Sequence, residues 1–219
     1  MPPKQTRRPY RGRAIDVSYD VRRCIHASEC VRGLPATFNR QRVPWIEPDN
    51  SPAAEVAEVI MRCPSGSLRF ERKDAGLPEP IPRRNSITLV PNGPLYARGE
   101  LKVISPQGEL LHQDTRISLC RCGSSNNKPF CDNSHIASGF KSGKSKIGSR
   151  TPSGEGDSLQ ITPTENGPYQ LLGNVEIVDA EDGTLFSGRM IRLCRCGDSS
   201  EMPFCDNSHL HNGFEAKSW

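Results

Sequence analysis

The sequence is short of apolar side chains and of aromatic rings. Of its 219 residues, 34% are hydrophobic and 6% aromatic. Ordinary globular chains carry ~45–50% apolar residues, glycine included. So lean a chain is not expected to build one large hydrophobic core. Domains of well under ~100 residues bury little surface and often need a metal or disulfides as staples. Long apolar runs are missing, which argues against a membrane span of ~20 residues. No apolar stretch follows the N-terminus, so no secretory signal is expected, and the expected compartment is the reducing cytoplasm. Heptads and collagen-like triplets are absent as well.

What the sequence does have is 9 cysteines, 19 glycines and 19 prolines. In a reducing compartment cysteines read as metal ligands or redox groups before disulfides. The odd count points the same way, because one thiol would be left over. The net charge is +4, and it is unevenly spread. Lys4, Arg7, Arg8, Arg11 and Arg13 have no acid among them. Residues 1–13 therefore read as a basic, disordered arm, rich in proline. Such an arm is either a solubilising tail or a contact for an acidic partner, and nucleic acid is not the expected partner.

The cysteines fall into three groups, and two of them repeat. Residues 120–135 read CRCGSSNNKPFCDNSH and residues 194–209 read CRCGDSSEMPFCDNSH, with 12 of 16 positions identical. The same 74-residue offset pairs Asn92-Gly93-Pro94 with Asn166-Gly167-Pro168, and Gly99 with Gly173. Upstream of the cysteines, Leu101 and Val103, Ile117 and Leu119, Val175 and Ile177, and Ile191 and Leu193 alternate with polar residues as strands do. Turn signals stand at Pro106-Gln107-Gly108 and Glu181-Asp182-Gly183. Each unit thus reads as a small antiparallel element followed by a cysteine loop and a short helix. Residues 72–85 and 148–157 read as linkers. They separate an N-terminal domain, 14–71, from repeats at 86–147 and 158–219. The N-terminal domain reads as a strand over 14–19 and a helix over 52–61, then a final strand. Ser51 is the expected cap, and Ala54, Val56, Val59 and Ile60 are the expected buried stripe. The fold class expected is α+β.

The repeated pattern, C-x-C-x8-C-x3-H, offers three thiolates and an imidazole. Cys120 and Cys122, on an extended segment, present both sulfurs to one side. Cys131 and His135, four apart on a helical turn beginning near Asp132, do the same. Cys194, Cys196, Cys205 and His209 repeat the arrangement. A disulfide would strand one cysteine per repeat and ignore the histidine. A Cys3His zinc site is chemically possible, although zinc sites usually separate paired cysteines by ~2–4 residues. An iron–sulfur cluster would use all four donors, two per iron.

The pattern resembles the CDGSH iron–sulfur domain of the NEET family. The resemblance is carried by Cys120, Cys122, Ser125, Pro129, Cys131, Asp132, Ser134 and His135. Cys194, Cys196, Ser199, Pro203, Cys205, Asp206, Ser208 and His209 carry it a second time. Asn133 and Asn207 stand where the family usually has glycine, and asparagine is the side chain that best tolerates a left-handed backbone. The resemblance implies a [2Fe–2S] cluster in each repeat. Cys120 and Cys122 would hold one iron, Cys131 and His135 the other, and the second repeat would use its four counterparts. It also implies a mainly β tandem region that forms a pseudo-dimer within a monomer.

The third group is Cys24-Ile-His-Ala-Ser-Glu-Cys30 with Cys63-Pro64. Ala27 occupies the place of a middle cysteine in the usual C-x2-C-x2-C run. Three thiolates suit a [3Fe–4S] cluster, or a [4Fe–4S] cluster with a fourth ligand from elsewhere, for which His26 is a candidate one place out of register. Three ordinary buried thiols are the alternative. With Ser18-Tyr19-Asp20, Pro44-Trp45-Ile46 and Cys63-Pro64-Ser65-Gly66-Ser67-Leu68, the segment resembles divergent mono-cluster ferredoxin domains. That implies a small ferredoxin-like N-terminal domain. His112 and His211 read as ordinary surface residues.

The expected function is electron transfer through three clusters, with a redox partner protein. The alternative is cluster storage or transfer to an apo-acceptor, or redox and pH sensing. A zinc-held interaction module is the third reading. No nucleotide-binding glycine loop or separate nucleophile is visible, so an enzyme is not expected. Replacing thiolate by neutral imidazole makes a cluster easier to reduce, and acid competes with iron for the imidazole nitrogen. His135→Cys combined with His209→Cys should therefore lower the reduction potentials and slow acid-driven bleaching of the visible spectrum. Unchanged potentials and bleaching rates would refute this role for the histidines.

Overall fold

The computed structural model describes residues 7–149, 154–179 and 183–217, in two compact units that divide between Pro80 and Ile81. The first unit is a three-stranded antiparallel sheet with two helices. Its strands are β1 (Arg7–Tyr10), β2 (Ile15–Asp20) and β3 (Leu68–Arg72), in the order β1-β2-β3. Its helices are α1 (Glu29–Gly33) and α2 (Ala53–Met61). The core gathers Ile15, Val17, Phe38, Ile46, Val56, Ile60 and Leu68.

Here the structure corrects the sequence reading in several places. Part of the basic arm is ordered, since Arg7–Tyr10 pairs with Val17–Asp20 as an edge strand. Arg7 donates to the carbonyls of Gly66 and Ser67 beside Cys63. Arg11 pairs with Asp16, a carboxylate that Lys73 also reaches. A run without acids can still be structured when its acids come from elsewhere in the chain. Lys4 and the rest of residues 1–6 lie outside the described residues. The cap of α2 falls on Pro52 rather than Ser51, whose hydroxyl instead accepts from Thr37. Ala57 is buried, and Ala54 is exposed. Helix α1, which carries Cys30, was not expected from the sequence. It is a little over one turn long, too short to show a hydrophobic period.

The second unit is a six-stranded sheet built from the two repeats. The first repeat gives β4 (Ser86–Leu89), β5 (Leu95–Ile104) and β6 (Leu110–Leu119). A short helix α3 (Ser134–Ala137) follows them. The second gives β7 (Leu159–Pro163), β8 (Tyr169–Asp179) and β9 (Gly183–Leu193). Within each repeat the three strands run antiparallel. Between repeats the first strands are shared. Strand β4 lies parallel to β8, with Ile87 opposite Ile177, and β7 lies parallel to β5, with Leu101 opposite Leu159. The strands β4, β5, β7 and β8 thus close into a ring, and β6 and β9 extend it.

This sharing requires β5 and β8 to change partners halfway. Each does so at a register shift beside a glycine, Gly99 or Gly173. Both have positive φ, +141° and +121°. A Cβ on Gly99 would lie 2.1 Å from Asn85 Oδ1, and one on Gly173 would lie 2.5 Å from the Ser158 carbonyl oxygen. Asn85 was placed in a linker by sequence, but it is buried. Its amide donates to the carbonyls of Asp157 and Asn174, and its oxygen accepts from Glu100 N–H. The alternating residues of β5 and β8 point into one core shared by both repeats. The second linker lies partly outside the described residues, as do Glu181 and Asp182 of the expected turn. The turn at Gly108 is present. Among the described residues no helix is long and apolar enough to cross a membrane. Gly173→Ala should cost about 1–3 kcal/mol of stability through backbone strain and the Ser158 contact, read as a lower urea midpoint. An unchanged midpoint would contradict the crossover argument.

Candidate metal centres

The two repeated sites assemble at the ends of strands. β6 ends at Leu119 and β9 at Leu193, directly before the C-x-C segments, and the N–H groups of Cys120 and Cys194 bond the carbonyls of Pro129 and Pro203. Cys120 Sγ and Cys122 Sγ lie 3.7 Å apart, and Cys194 Sγ and Cys196 Sγ 3.5 Å apart. Cys131 Sγ lies 3.6 Å from His135 Nδ1, and Cys205 Sγ 3.5 Å from His209 Nδ1. On one tetrahedral metal with ~2.3 Å sulfur bonds, two thiolates sit ~3.7 Å apart, and a thiolate and an imidazole nitrogen ~3.6 Å. Each pair is thus spaced as a chelate. In both repeats the structure brings together the two members of each nominated pair.

The rest of the motif holds these donors in place. Ser125 and Ser199 donate to the carbonyls of Phe130 and Phe204, at 2.7 and 2.6 Å, and close the loop between the third and second cysteines. Asp132 accepts from Asn126 N–H, Ser134 N–H and the Ser134 hydroxyl. Asp206 accepts the same way from Ser200 and Ser208. The capping position itself falls one residue later than expected, on Asn133 and Asn207. Both are left-handed with φ of +72°. Their N–H groups point at Cys131 Sγ and Cys205 Sγ, 3.4 Å away in each case.

Electrostatics prepare the donors for metal. Within each C-x-C pair one thiol keeps its proton and donates it to the other. That hydrogen bond pulls Cys122 and Cys196 down to about 6 and pushes Cys120 and Cys194 up. Burial lowers His135 and His209, which favours the neutral imidazole a metal requires. Arg121 and Arg195, the residues between the paired cysteines, are almost fully buried. Arg121 donates to the carbonyls of Val90 and Gly93, and Arg195 to those of Thr164 and Ala216. Nε and Nη1 of Arg195 have no hydrogen-bond partner among the described residues. A buried guanidinium with spare donors beside four inner thiols suits an anionic group at the site.

The two sites also touch each other through the backbone. A Cβ on Gly123 would lie 2.4 Å from the Cys196 carbonyl oxygen, and one on Gly197 would lie 2.6 Å from that of Cys122. Both glycines have positive φ. Tyr169 is fully buried and hydrogen-bonds the carbonyls of Cys120 and Pro129 at 2.8 and 2.9 Å. Sequence reasoning missed these residues. The arginines and glycines were visible as identities between the repeats. Tyr169 was visible only as a difference from Leu95. His112 was read as a surface residue, but it packs edge-on against Phe130 and pairs with Asp114.

In the first unit, Cys24, Cys30 and Cys63 line one small cavity with Tyr19, Trp45 and Ser65. Burial, then the neighbouring Cys63, push Cys30 up to about 11. His26 is exposed, and its Nδ1 lies 3.9 Å from Cys24 Sγ. That is the contact of a hydrogen-bonding neighbour of Cys24, and it does not place the imidazole at a separate fourth corner. A second cavity of about 350 Å³ opens beside Cys24 and Cys30, walled by Tyr10, Tyr19, Trp45 and the arginines at 8, 40 and 42.

The thiol pairing predicts a reactivity order in metal-free protein. The shared hydrogen bond lowers Cys122 and Cys196 and raises Cys120 and Cys194, so thiolate gathers on Cys122 and Cys196. Alkylation by iodoacetamide should mark Cys122 and Cys196 several-fold faster, as read by peptide mass spectrometry. Equal rates would overturn this assignment.

Comparison with known proteins agrees with the geometry. The family described as "Divergent 4Fe-4S mono-cluster" matches residues 10–73. The family described as "Iron-binding zinc finger CDGSH type" matches twice, at residues 92–136 and 166–210. The uncharacterized protein YjdI of Escherichia coli K12 is 46% identical over 66 residues. The match covers 30% of this chain and 87% of YjdI. YjdI of Escherichia coli O157:H7 matches to the same extent. No solved structure matches. The chain therefore belongs to the iron–sulfur proteins that combine a divergent 4Fe-4S mono-cluster domain with a pair of CDGSH-type domains.

Proposed function

We propose that the chain is an electron carrier. It would hold a [2Fe–2S] cluster at each of the two Cys3His sites and one [3Fe–4S] or [4Fe–4S] cluster at Cys24, Cys30 and Cys63. The observation that carries this reading is the grouping of donors into chelating pairs, 3.5–3.7 Å within a pair. Among the described residues, no three His, Cys, Asp or Glu side chains converge on one point as a single-metal site requires. Paired donors suit a two-metal centre better than zinc. In the first unit Cys24, Cys30 and Cys63 line one cavity and the sequence up to Pro80 has no fourth cysteine, which favours the three-iron form or a non-cysteine fourth ligand.

A bound cluster supplies one-electron redox chemistry. The residues of this chain supply the rest. The Asn133 and Asn207 N–H groups and the buried arginines offset thiolate charge, which eases reduction. The backbone contact between Cys122–Gly123 and Cys196–Gly197 sets the two C-x-C segments against each other, which would favour exchange within one chain. The first eighty residues carry the whole net charge of +4, which suits an acidic redox partner docking near Cys24 and Cys30. This reading places the protein in the cytoplasm and gives it no catalytic step of its own.

A second reading, cluster storage and delivery or sensing, is favoured by one observation. His135 and His209 are only half-buried, so the imidazole of each site is open to protons and to an acceptor. Anaerobically purified protein should be red-brown, with iron and acid-labile sulfide in a one-to-one ratio for the [2Fe–2S] sites. A further paramagnetic signal in the oxidised state would mark a [3Fe–4S] centre. Zinc without sulfide would overturn both readings. Reversible reduction without iron loss supports the carrier, and transfer to an apo-ferredoxin supports delivery.

A further inference from the structure

The two repeated sites have the same donors, but their surroundings differ. Tyr169 stands at the start of β8, and its counterpart at the start of β5 is Leu95. The tyrosine belongs to the second repeat, yet its hydroxyl reaches the first repeat's metal loop. It bonds the carbonyl of Cys120 at 2.8 Å and that of Pro129 at 2.9 Å. Pro129 also accepts from Cys120 N–H at 2.8 Å, so the three groups close a small buried network around the first ligand. The ring of Tyr169 lies 5.7 Å beneath the Arg195 guanidinium, between Cys194 and Cys196. Leu95 is buried in the symmetric position and has no polar atom to offer Cys194 or Pro203.

The outer donors differ in the same sense. Cys131 is 3% exposed, whereas Cys205 is half-buried. His135 sits in the α-helical turn α3, and its carbonyl is held by Phe140 N–H at 3.1 Å. His209 sits in a single 3-10 turn, and Phe214 N–H turns instead to the Asn212 side chain. Only the inner Cys196, more buried than Cys122, runs the other way. Acid competes with metal for the imidazole of the outer pair, so exposure of Cys205 beside it weighs more than burial of Cys196.

We propose that Tyr169 is a positioning residue that makes the tandem unequal: it locks the first site, and the second site, Cys194, Cys196, Cys205 and His209, releases its metal group first. The inference rests on the reading of both sites as cluster sites. It divides their roles into one retained centre and one exchangeable centre.

The test uses the full chain, loaded anaerobically, with the visible absorption followed after addition of an excess of an iron chelator at pH 7. The two repeated sites are expected to give two phases of similar amplitude, one fast and one slow. They are separated from the contribution of the first unit by comparison with a chain carrying Cys24→Ser, Cys30→Ser and Cys63→Ser. Chains with Cys194→Ser and Cys196→Ser should keep only the slow phase, and chains with Cys120→Ser and Cys122→Ser only the fast one. Tyr169→Phe keeps the ring on Arg195 and removes only the hydroxyl. It should speed the slow phase about three- to tenfold, the scale of one buried hydrogen bond, and leave the fast phase unchanged. The visible circular dichroism of the first site alone should change with it, which a general loss of stability would not produce while the second site stayed the same. A single phase in the wild-type chain, a fast phase belonging to the first site, or a slow phase indifferent to Tyr169→Phe would each overturn the proposal. If Tyr169→Phe does not fold, the order of release in the wild-type chain still decides. Absence of iron and sulfide from both sites would instead refute the cluster reading itself.

Discussion

The tandem unit depends on one constraint, the approach of backbone to backbone where its two halves meet. Gly123 rests on the Cys196 carbonyl and Gly197 on that of Cys122, closer than any Cβ permits. Gly99 and Gly173 allow close approach within their own repeats, to Asn85 and to the Ser158 carbonyl, at the two strand crossovers. Two glycines with positive φ, Gly123 and Gly197, therefore set how near the halves can come. That nearness lets β4 pair with β8 and β7 with β5. A CDGSH repeat taken alone has three strands and a handful of apolar residues. By sharing first strands, two repeats close a ring and bury one core from both sides. The thin composition of the chain is sufficient because the core is made once for two sites.

The same closeness explains the electrostatics. A C-x-C pair puts two sulfurs within 3.7 Å of each other, and two such pairs are brought near one another across the interface. Gathering that much potential negative charge in a low-dielectric region is costly without compensation. Arg121 and Arg195 are carried into the interior by the very segments that carry the cysteines, and each is anchored on carbonyls of its own repeat. Phe140 and Phe214 cover the two guanidinium groups. The motif thus brings its own counter-charge between its first two ligands.

Much of this was legible in the sequence, because the donors and strands follow local rules. C-x-C on an extended segment and C-x3-H on a helical turn fix which atoms face each other. Alternation located β5, β6, β8 and β9. Asn133 and Asn207 stand where the resembled family has glycine, which asks for a residue that tolerates a left-handed backbone, and both are left-handed. What was not legible depends on contacts between distant segments. Strand exchange leaves no periodic trace, since β4 and β7 are four and five residues long and look alike whichever repeat they pair with. Asn85 reads as a polar linker residue until Asp157, Asn174 and Glu100 surround it. Arg7–Tyr10 reads as a charged tail until β2 supplies its partner and the 63–67 turn supplies its acceptors.

Repetition also misleads in a specific way. Twelve identical positions of sixteen suggest two equal sites, and the ligands themselves are equal. The surroundings differ all the same: tyrosine against leucine at the strand start, and a helical against a 3-10 turn at the histidine. A duplicated site inside one chain is freed from the exact symmetry of a homodimer. Each half contributes to the other's surroundings, so one substitution in the second repeat alters the first site. Tyr169 is that case, because its backbone belongs to β8 and its hydroxyl to the loop of Cys120. Gene duplication followed by drift at such crossing positions is sufficient to turn two copies of one metal site into two sites with different tasks.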